Sequence, residues 1–520
     1  MSSGGIVPFD RYPGLSPLFP RFLAGLPDFY PDPPTLDAAV ARGRELLGKP
    51  ARTPASAFRC RGEAAARSAA ELAAGRAVAV VTGHQVGLFG GPLFTITKAF
   101  DVIRTASEIT RRGVPAVPVF WALTDDHDLE EVARTAWPGR DGPEVLVLEG
   151  ADRANRKPVG GLPLPQRVSE ILDTFAAEAR GPDAEEILAT FRRRYAPGTT
   201  YADAFIETLL DWTGEGLLVL DPYQAPLREA TAEFFREAAR RKDAIQEALA
   251  RVSAKLEGAG LPLPVPFRPG VFPFFTVADG ERRRVDSVED AVARVLRGDA
   301  WPSPDVLTRP VLKSWLMPAA ASILGPAEIA YHAQALALFP IFDRKPPVLL
   351  PRSFVIPLGP PARKKMEALG ISREALFLPA RESAPAEIPG VPGVAKAAEG
   401  AERELAALEP ELKALDPTLV GALENTRSKV AYQFEQLQER MKKAAKKKGK
   451  VADDRRQRLD AMLLPQGAPA ERLYPALVPL LAYGRGALDA VRDAARGSLE
   501  GAAIVDLGLD GEAVGGTDGR

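Results

Sequence analysis

Between residues 77 and 132 the chain alternates unbroken apolar runs with an amphipathic stretch, in the order strand, helix, strand. Residues 77–81 (AVAVV) are short, wholly apolar and rich in valine, the composition of a strand buried on both faces. Residues 92–112 carry helical spacing, with Pro92 suited to a first turn and Gly113 just past the end. Residues 114–123 (VPAVPVFWAL) form the second apolar run. The unit is βαβ, which implies parallel strands and a right-handed crossover. Residues 145–148 and 217–220 predict further strands, and 348–356 is one more apolar run, interrupted by Pro351 and Arg352. Asp279-Gly280 between two strand-like runs predicts a hairpin within 272–285. Helical patterns cover 36–47, 62–75 and, as one long element, 225–257.

The character shifts near Leu378, which divides the chain into an α/β region, 1–378, and a helical region, 379–520. Residues 379–400, rich in Pro, Gly, Ala and Glu, suit a linker. Beyond it Leu405, Leu408, Leu412 and Leu415 step by three and four, and Asp416-Pro417 reads as an N-cap and first-turn proline. A helix from there to about Lys448 would be ~48 Å long. Its charged outer faces suggest a coiled-coil arm, with a helix packed on its own domain as the alternative. Lys446, Lys447, Lys448 and Lys450 follow, either a solvated helix end or an anion contact. Residues 459–495 read as helical again, and the last ~15 as frayed.

Composition narrows the class. A net charge of −1 over 520 residues supplies no broad attraction for nucleic acid or an anionic membrane. No apolar stretch approaches ~20 residues, so no membrane span is expected, and MSSGGIVPFDRYPG lacks the pattern of a signal peptide. The single cysteine, Cys60, excludes an internal disulfide and a cysteine zinc cluster, and fits a reducing, cytoplasmic setting. Cys60 lies between Arg59 and Arg61 but far in sequence from any histidine. No GxxxxGK[ST], strand-linked GxGxxG or GxSxG is present.

Against that background the polar residues at the ends of the apolar runs stand out. Ligands of parallel α/β sheets bind outside the carboxyl ends of the strands. Gly83, His84 and Gln85 follow the first strand; Thr124, Asp125, Asp126, His127 and Asp128 follow the second, so one crossover brings both to one rim. Asp128 as a helix N-cap would explain one of the acids structurally. His332, the third of only three histidines, follows Gly325-Pro326 on an expected helix, with Glu328 one turn before it and Tyr331 beside it. Arg309 and Arg352, set in apolar runs, each need a carboxylate or phosphate, from an internal ion pair or from a ligand. Lys98, on the helix after the His-Gln turn, is expected several turns in, at the surface or a domain contact.

Four ordered stretches carry a resemblance: VVTGHQVGLFGGPLFTITKAF, VPVFWALTDDHDLEEV, RPVLKSWLMPAAASILGPAEIAYHAQ and PRSF, followed by LDPTL and LLPQGAPAERLY. Together they resemble the bacillithiol-biosynthesis cysteine-adding family, BshC, over essentially the whole chain. The resemblance implies a Rossmann-like parallel-sheet core with inserted connecting segments, a C-terminal helical coiled-coil domain and a homodimer through those helices. It implies ligation of the L-cysteine carboxyl to the amino group of glucosaminyl-malate, with ATP or ADP as the nucleotide; no metal is firmly predicted. Motif membership, without individual roles, passes to Gly83, His84, Gln85, Asp125, Asp126, His127, Asp128, Arg309, Glu328, Tyr331, His332 and Arg352. The position of His84 is often glutamine in this family, which favours an orienting role there over acid–base chemistry.

In that chemistry the His-Gln turn faces a nucleotide or acyl phosphate, His127 among its acids is the candidate base with Asp126 beside it, and Arg309 or Arg352 pairs with malate carboxylates. Two other readings remain open. Asp125, Asp126, His127 and Asp128 suit the ligand types of a Zn, Mn or Fe hydrolase, and the helical arm suits a non-catalytic dimeric scaffold.

Overall fold

The computed structural model describes residues 5–139, 142–148, 155–377, 390–495 and 499–508, with backbone only at 446–450 and 452. Its central sheet has six strands: β1 (Phe58–Arg59), β2 (Val78–His84), β3 (Ala116–Ala122), β4 (Leu218–Leu220), β5 (Ala319–Leu324) and β6 (Val348–Pro351). They lie in the order β6-β5-β2-β3-β4-β1. All neighbours are parallel except β1, which runs antiparallel to β4 at the edge. The apolar runs are explained by burial on both faces. Val78 and Val80 join a core with Val102 and Ile109 on one side of the sheet, while Ala79 and Val81 join a second core with Phe234 and Leu312 on the other.

Three helices frame the strand ends. Helix α1 (Leu93–Arg111) connects β2 to β3, α2 (Arg309–Leu316) precedes β5, and α3 (Pro326–Ala335) follows it. The expected βαβ unit is present, and β2 runs three residues beyond the apolar pentad, through Thr82, Gly83 and His84. The hairpin at Asp279-Gly280 is also present, Phe274–Ala278 against Glu281–Arg284, with both turn residues at positive φ. A third strand, Trp301–Pro304, pairs with it.

Several expectations are corrected. The apolar run at 145–148 lies in a two-stranded ribbon, Arg134–Pro138 against Pro143–Val147, outside the central sheet. The 225–257 pattern is two helices, Ala225–Arg240 and Lys242–Gly258. The 348–356 run is split at Arg352: after β6, Val355–Leu358 pairs with Gly501–Asp506, which also pairs with Ile6–Pro8. That strand ends at Asp506, where the expected frayed end begins, and most of that end, residues 509–520, lies outside the described residues.

By internal packing the chain forms two compact units, Met1–Lys364 with Ala461–Arg520, and Lys365–Asp460. In the second, the expected linker is helical from Val391 (Val391–Ala407), while 379–389 lies outside the described residues. Asp416 does cap the next helix, accepting from the Thr418 N–H at 2.8 Å. That helix, α4 (Leu419–Leu463), has 45 residues and passes through 448 without a break, ~68 Å at 1.5 Å per residue. The side chains of Lys446, Lys447, Lys448 and Lys450 lie outside the described residues. No described helix is long and apolar enough to cross a membrane.

Candidate functional site

His84 at the end of β2 pairs in register with Ala122 at the end of β3, so both following loops leave the sheet at one edge. Gly83 has to be glycine there, because a Cβ would sit 2.6 Å from the Trp121 carbonyl oxygen. The chain then makes a short turn, Leu88–Gly90, before Pro92 opens α1. With Gly325 and the start of α3, these segments enclose a cavity of 530 Å³. Gly83, His84, Gln85, Asp126 and His127 line it, as do Arg309, Glu328, Tyr331 and Arg352. Nine of the twelve residues singled out in the sequence thus meet at one rim. Asp125, Asp128 and His332 do not line it.

The acidic loop is held from the side of the 274–284 hairpin. Arg282, buried and stacked 3.6 Å above the Phe275 ring, donates through Nη1 to Asp126 Oδ1 at 3.1 Å and to His127 Nδ1 at 2.8 Å. Its Nε donates to Ser303 Oγ at 3.0 Å, and Ser303 in turn donates to Asp125 Oδ2 at 2.5 Å. Asp126 also accepts from the His127 N–H at 2.8 Å and from Gln85 Nε2 at 3.2 Å. Burial pushes its pKa up, but His127, Arg282 and Arg309 outweigh burial and hold it well below the usual carboxylate range. Asp128 is exposed, and although it occupies the N-cap position of a short helix its side chain makes no cap bond.

The Nδ1 of His127 faces both a donor, Arg282 Nη1 at 2.8 Å, and an acceptor, Asp126 Oδ1 at 3.4 Å. Nε2 itself lies 3.5 Å from Arg156 Nη1. Both ring nitrogens therefore lie against protein groups.

A second network lies under the His-Gln turn. Lys98 is fully buried, a correction to the expected surface position. Helix α1 starts at Leu93, so Lys98 is in its second turn and points at the strand ends. Its Nζ donates to the Gly83 carbonyl at 2.6 Å and to Glu328 Oε2 at 2.6 Å. Glu328 also accepts from the Gly325 N–H at 2.7 Å, capping α3. Burial raises the Glu328 pKa, but Lys98 and the Gly325 N–H overcome this and keep the carboxylate ionised. Burial and the nearby Lys98 ammonium lower the pKa of His84 to about 3, so this ring is neutral; it packs edge-on to Phe94 at 4.7 Å. His332 sits behind the wall with Nδ1 2.7 Å from the Glu328 carbonyl, and burial lowers its pKa to about 4.

The two arginines differ. Arg352 is an internal ion pair, with Nη2 2.6 Å from Glu471 Oε1, while Glu471 also accepts from Tyr12 Oη at 2.7 Å and the Val355 N–H at 2.9 Å. Among the described residues the Arg309 side chain meets the Pro304 carbonyl at 3.2 Å and Asp126 Oδ2 at 3.8 Å, and its Nε has no partner. Gln85, which also bonds Asp126 Oδ2, lines the same cavity, and its Oε1 is buried with no partner among the described residues. An unfilled donor and an unfilled acceptor on two residues that line one cavity are what a polar ligand would satisfy.

Sequence reasoning missed Lys98, Arg282, Glu471 and Lys313. Lys313, one turn after Arg309, brings Nζ within 3.4 Å of the space a Gly83 Cβ would fill, and burial with Arg309 and Lys98 nearby lowers its pKa to about 7. The available signal for Arg282 was the strand alternation after Asp279-Gly280, which turns it to the same face as Phe275; for the others nothing local pointed inward.

The acidic loop does not present a metal site. Asp125 is bonded to Ser303, Asp126 and His127 face Arg282, and Asp128 is exposed. No group of three or more acid, histidine or cysteine side chains among the described residues is placed to hold an ion. The hydrolase reading loses its ligand set.

Comparison with known proteins agrees with this architecture. Residues 34–353 match the family model for the bacillithiol biosynthesis BshC N-terminal Rossmann-like domain, and residues 358–501 that for the BshC C-terminal coiled-coil domain. A protein of Koribacter versatilis (strain Ellin345) named "Putative cysteine ligase BshC" is 30% identical over 444 residues, 81% of this chain and 82% of the relative. One of the same name from Thermus thermophilus is 31% identical over 456 residues, 83% and 88% of the two chains. The chain belongs to the BshC family, with its Rossmann-like N-terminal domain and helical coiled-coil C-terminal domain.

Proposed function

We propose that this protein is a cytoplasmic, nucleotide-dependent ligase of bacillithiol biosynthesis that joins the carboxyl of L-cysteine to the amino group of glucosaminyl-malate. The relatives' name supplies the reaction class. The observation that carries the site is the cavity at the carboxyl edge of the sheet, where Arg309 Nε and Gln85 Oε1 are both buried without partners. In this reading Arg309 takes a malate carboxylate, matching a planar fork to a planar acceptor. Gln85 Oε1 accepts from the amine or a hydroxyl of the acceptor. Neutral His84 orients substrate and exchanges no proton near pH 7. His127, held by Arg282 beside Asp126, is the proposed base. Arg352, bound to Glu471, braces the wall.

Steady-state ligation by an Arg309→Gln variant tests this assignment. The expected result is a KM for glucosaminyl-malate raised about tenfold or more, equivalent to ~1.4 kcal/mol or more, with kcat less affected. A KM equal to that of the parent would remove Arg309 from the acceptor site.

A further inference from the structure

Beside the candidate site lies a second cleft, of 680 Å³, lined by Arg156, Arg282, Arg283, Arg284, His127 and Phe275. No carboxylate among the described residues lines it. Two of its guanidiniums are neutralised at its border, Arg282 by Asp126 and Arg283 by Glu281. The other two, Arg156 and Arg284, have no ion pair among the described residues; both are exposed, Arg284 stacked on the Phe275 ring at 4.7 Å. Cross-strand pairing of Phe275 with Arg284 and of Val277 with Arg282 puts both arginines on the Phe275 face of the hairpin. The backbone also fixes the far wall, because the Arg282 N–H donates to the Arg156 carbonyl at 2.6 Å. Two uncompensated forks on a braced ribbon, with no acid to close on them, favour a ligand carrying two or more negative charges. Four residues of this cleft, His127, Phe275, Arg282 and Arg284, also line the cavity described above.

We propose that this cleft binds the polyphosphate chain of a nucleotide, next to the cavity that holds the carboxyl to be activated. The proposal rests on the ligase reading for the identity of the nucleotide but not for the anion site itself. Polyphosphate is favoured over a dicarboxylate because its several charges can meet the two unpaired forks, Arg156 and Arg284, at once, whereas a single carboxylate is served by Arg309.

The test is titration calorimetry of the full-length protein and an Arg156→Gln/Arg284→Gln variant with inorganic tripolyphosphate, ATP, adenosine and malate. Tripolyphosphate and ATP should bind the parent, weaken with added salt, and lose at least tenfold in affinity in the variant; adenosine and malate should not compete with tripolyphosphate. Thermal unfolding checks the fold, and an Arg284→Lys variant, which keeps the charge and loses the fork, should fall between the two. Tripolyphosphate binding that is absent from the parent, unchanged in the variant, or displaced by malate would overturn the proposal. Loss of tripolyphosphate affinity in the variant, in a protein that makes no ligated product, would keep the anion site and reject the ligase reading.

Discussion

Lys98 shows how much one buried charge organises here. Its ammonium joins the Gly83 carbonyl on β2 to the Glu328 carboxylate on α3, two segments 245 positions apart in the chain (328 − 83). Removing one partner of such a pair leaves the other buried and uncompensated, a loss of about 3–5 kcal/mol. Lys98→Met should lower stability by that order in urea unfolding, and adding Glu328→Leu should restore part of it; full stability in Lys98→Met alone would contradict the bridging role. His84 gives a pH prediction. Its folded pKa, about 3, lies below the ordinary value of 6.5, so the unfolded chain takes up the proton first and acidification between those two values destabilises the fold. His332, lowered to about 4, adds a contribution of the same sign. His84→Gln should flatten the fall in stability between pH 6.5 and 3 and keep ligation near neutral pH. An unchanged pH–stability slope would show that His84 is not the titrating group. The residue types at the rim were readable because scarce polar side chains follow apolar runs. Lys98 and Arg282 were not, because their partners, Glu328 and Asp126, lie 230 and 156 positions away and no local period reveals them.

At the scale of elements, the edge of the sheet works because β2, β3 and β5 end together, β2 and β3 followed by polar turns and β5 by the Gly325-Pro326 start of α3. Gly83 is a tight point, since β3 leaves no room for a side chain. Gly83→Ala should force the end of β2 away from Trp121 and cost ~1–3 kcal/mol, with a large loss of ligation; a variant as stable and active as the parent would show that the strand ends tolerate separation. Apolar runs identified β2, β3 and β4 because strands buried on both faces leave a continuous signal, whereas β5, the short alanine-rich segment Ala319–Leu324, was not predicted. The same signal misplaced 145–148 and merged β6 with Val355–Leu358, since an apolar run says that a segment is buried and not which sheet it joins. A one-residue break between two helices, at Arg241, was equally invisible in the 225–257 pattern.

At the scale of the molecule, the candidate site is built wholly within the unit formed by Met1–Lys364 and Ala461–Arg520. The helical unit exposes Leu415 at 78%, Tyr432 at 57% and Leu437 at 46%, large apolar surfaces that a monomer gains nothing by leaving in water. With the homodimer implied by the family resemblance, these positions are the proposed contact between copies. Leu415→Glu with Tyr432→Glu should halve the mass seen in sedimentation, and an unchanged mass would place the contact elsewhere. The central claim concerns chemistry, and an endpoint assay by mass spectrometry reads it directly: purified protein with L-cysteine, glucosaminyl-malate and ATP, and each component omitted in turn. Bacillithiol formed only in the complete mixture, and lost with Arg309→Gln at low acceptor concentration, is the predicted result. No bacillithiol in the complete mixture, with ATP unconsumed, would contradict the account.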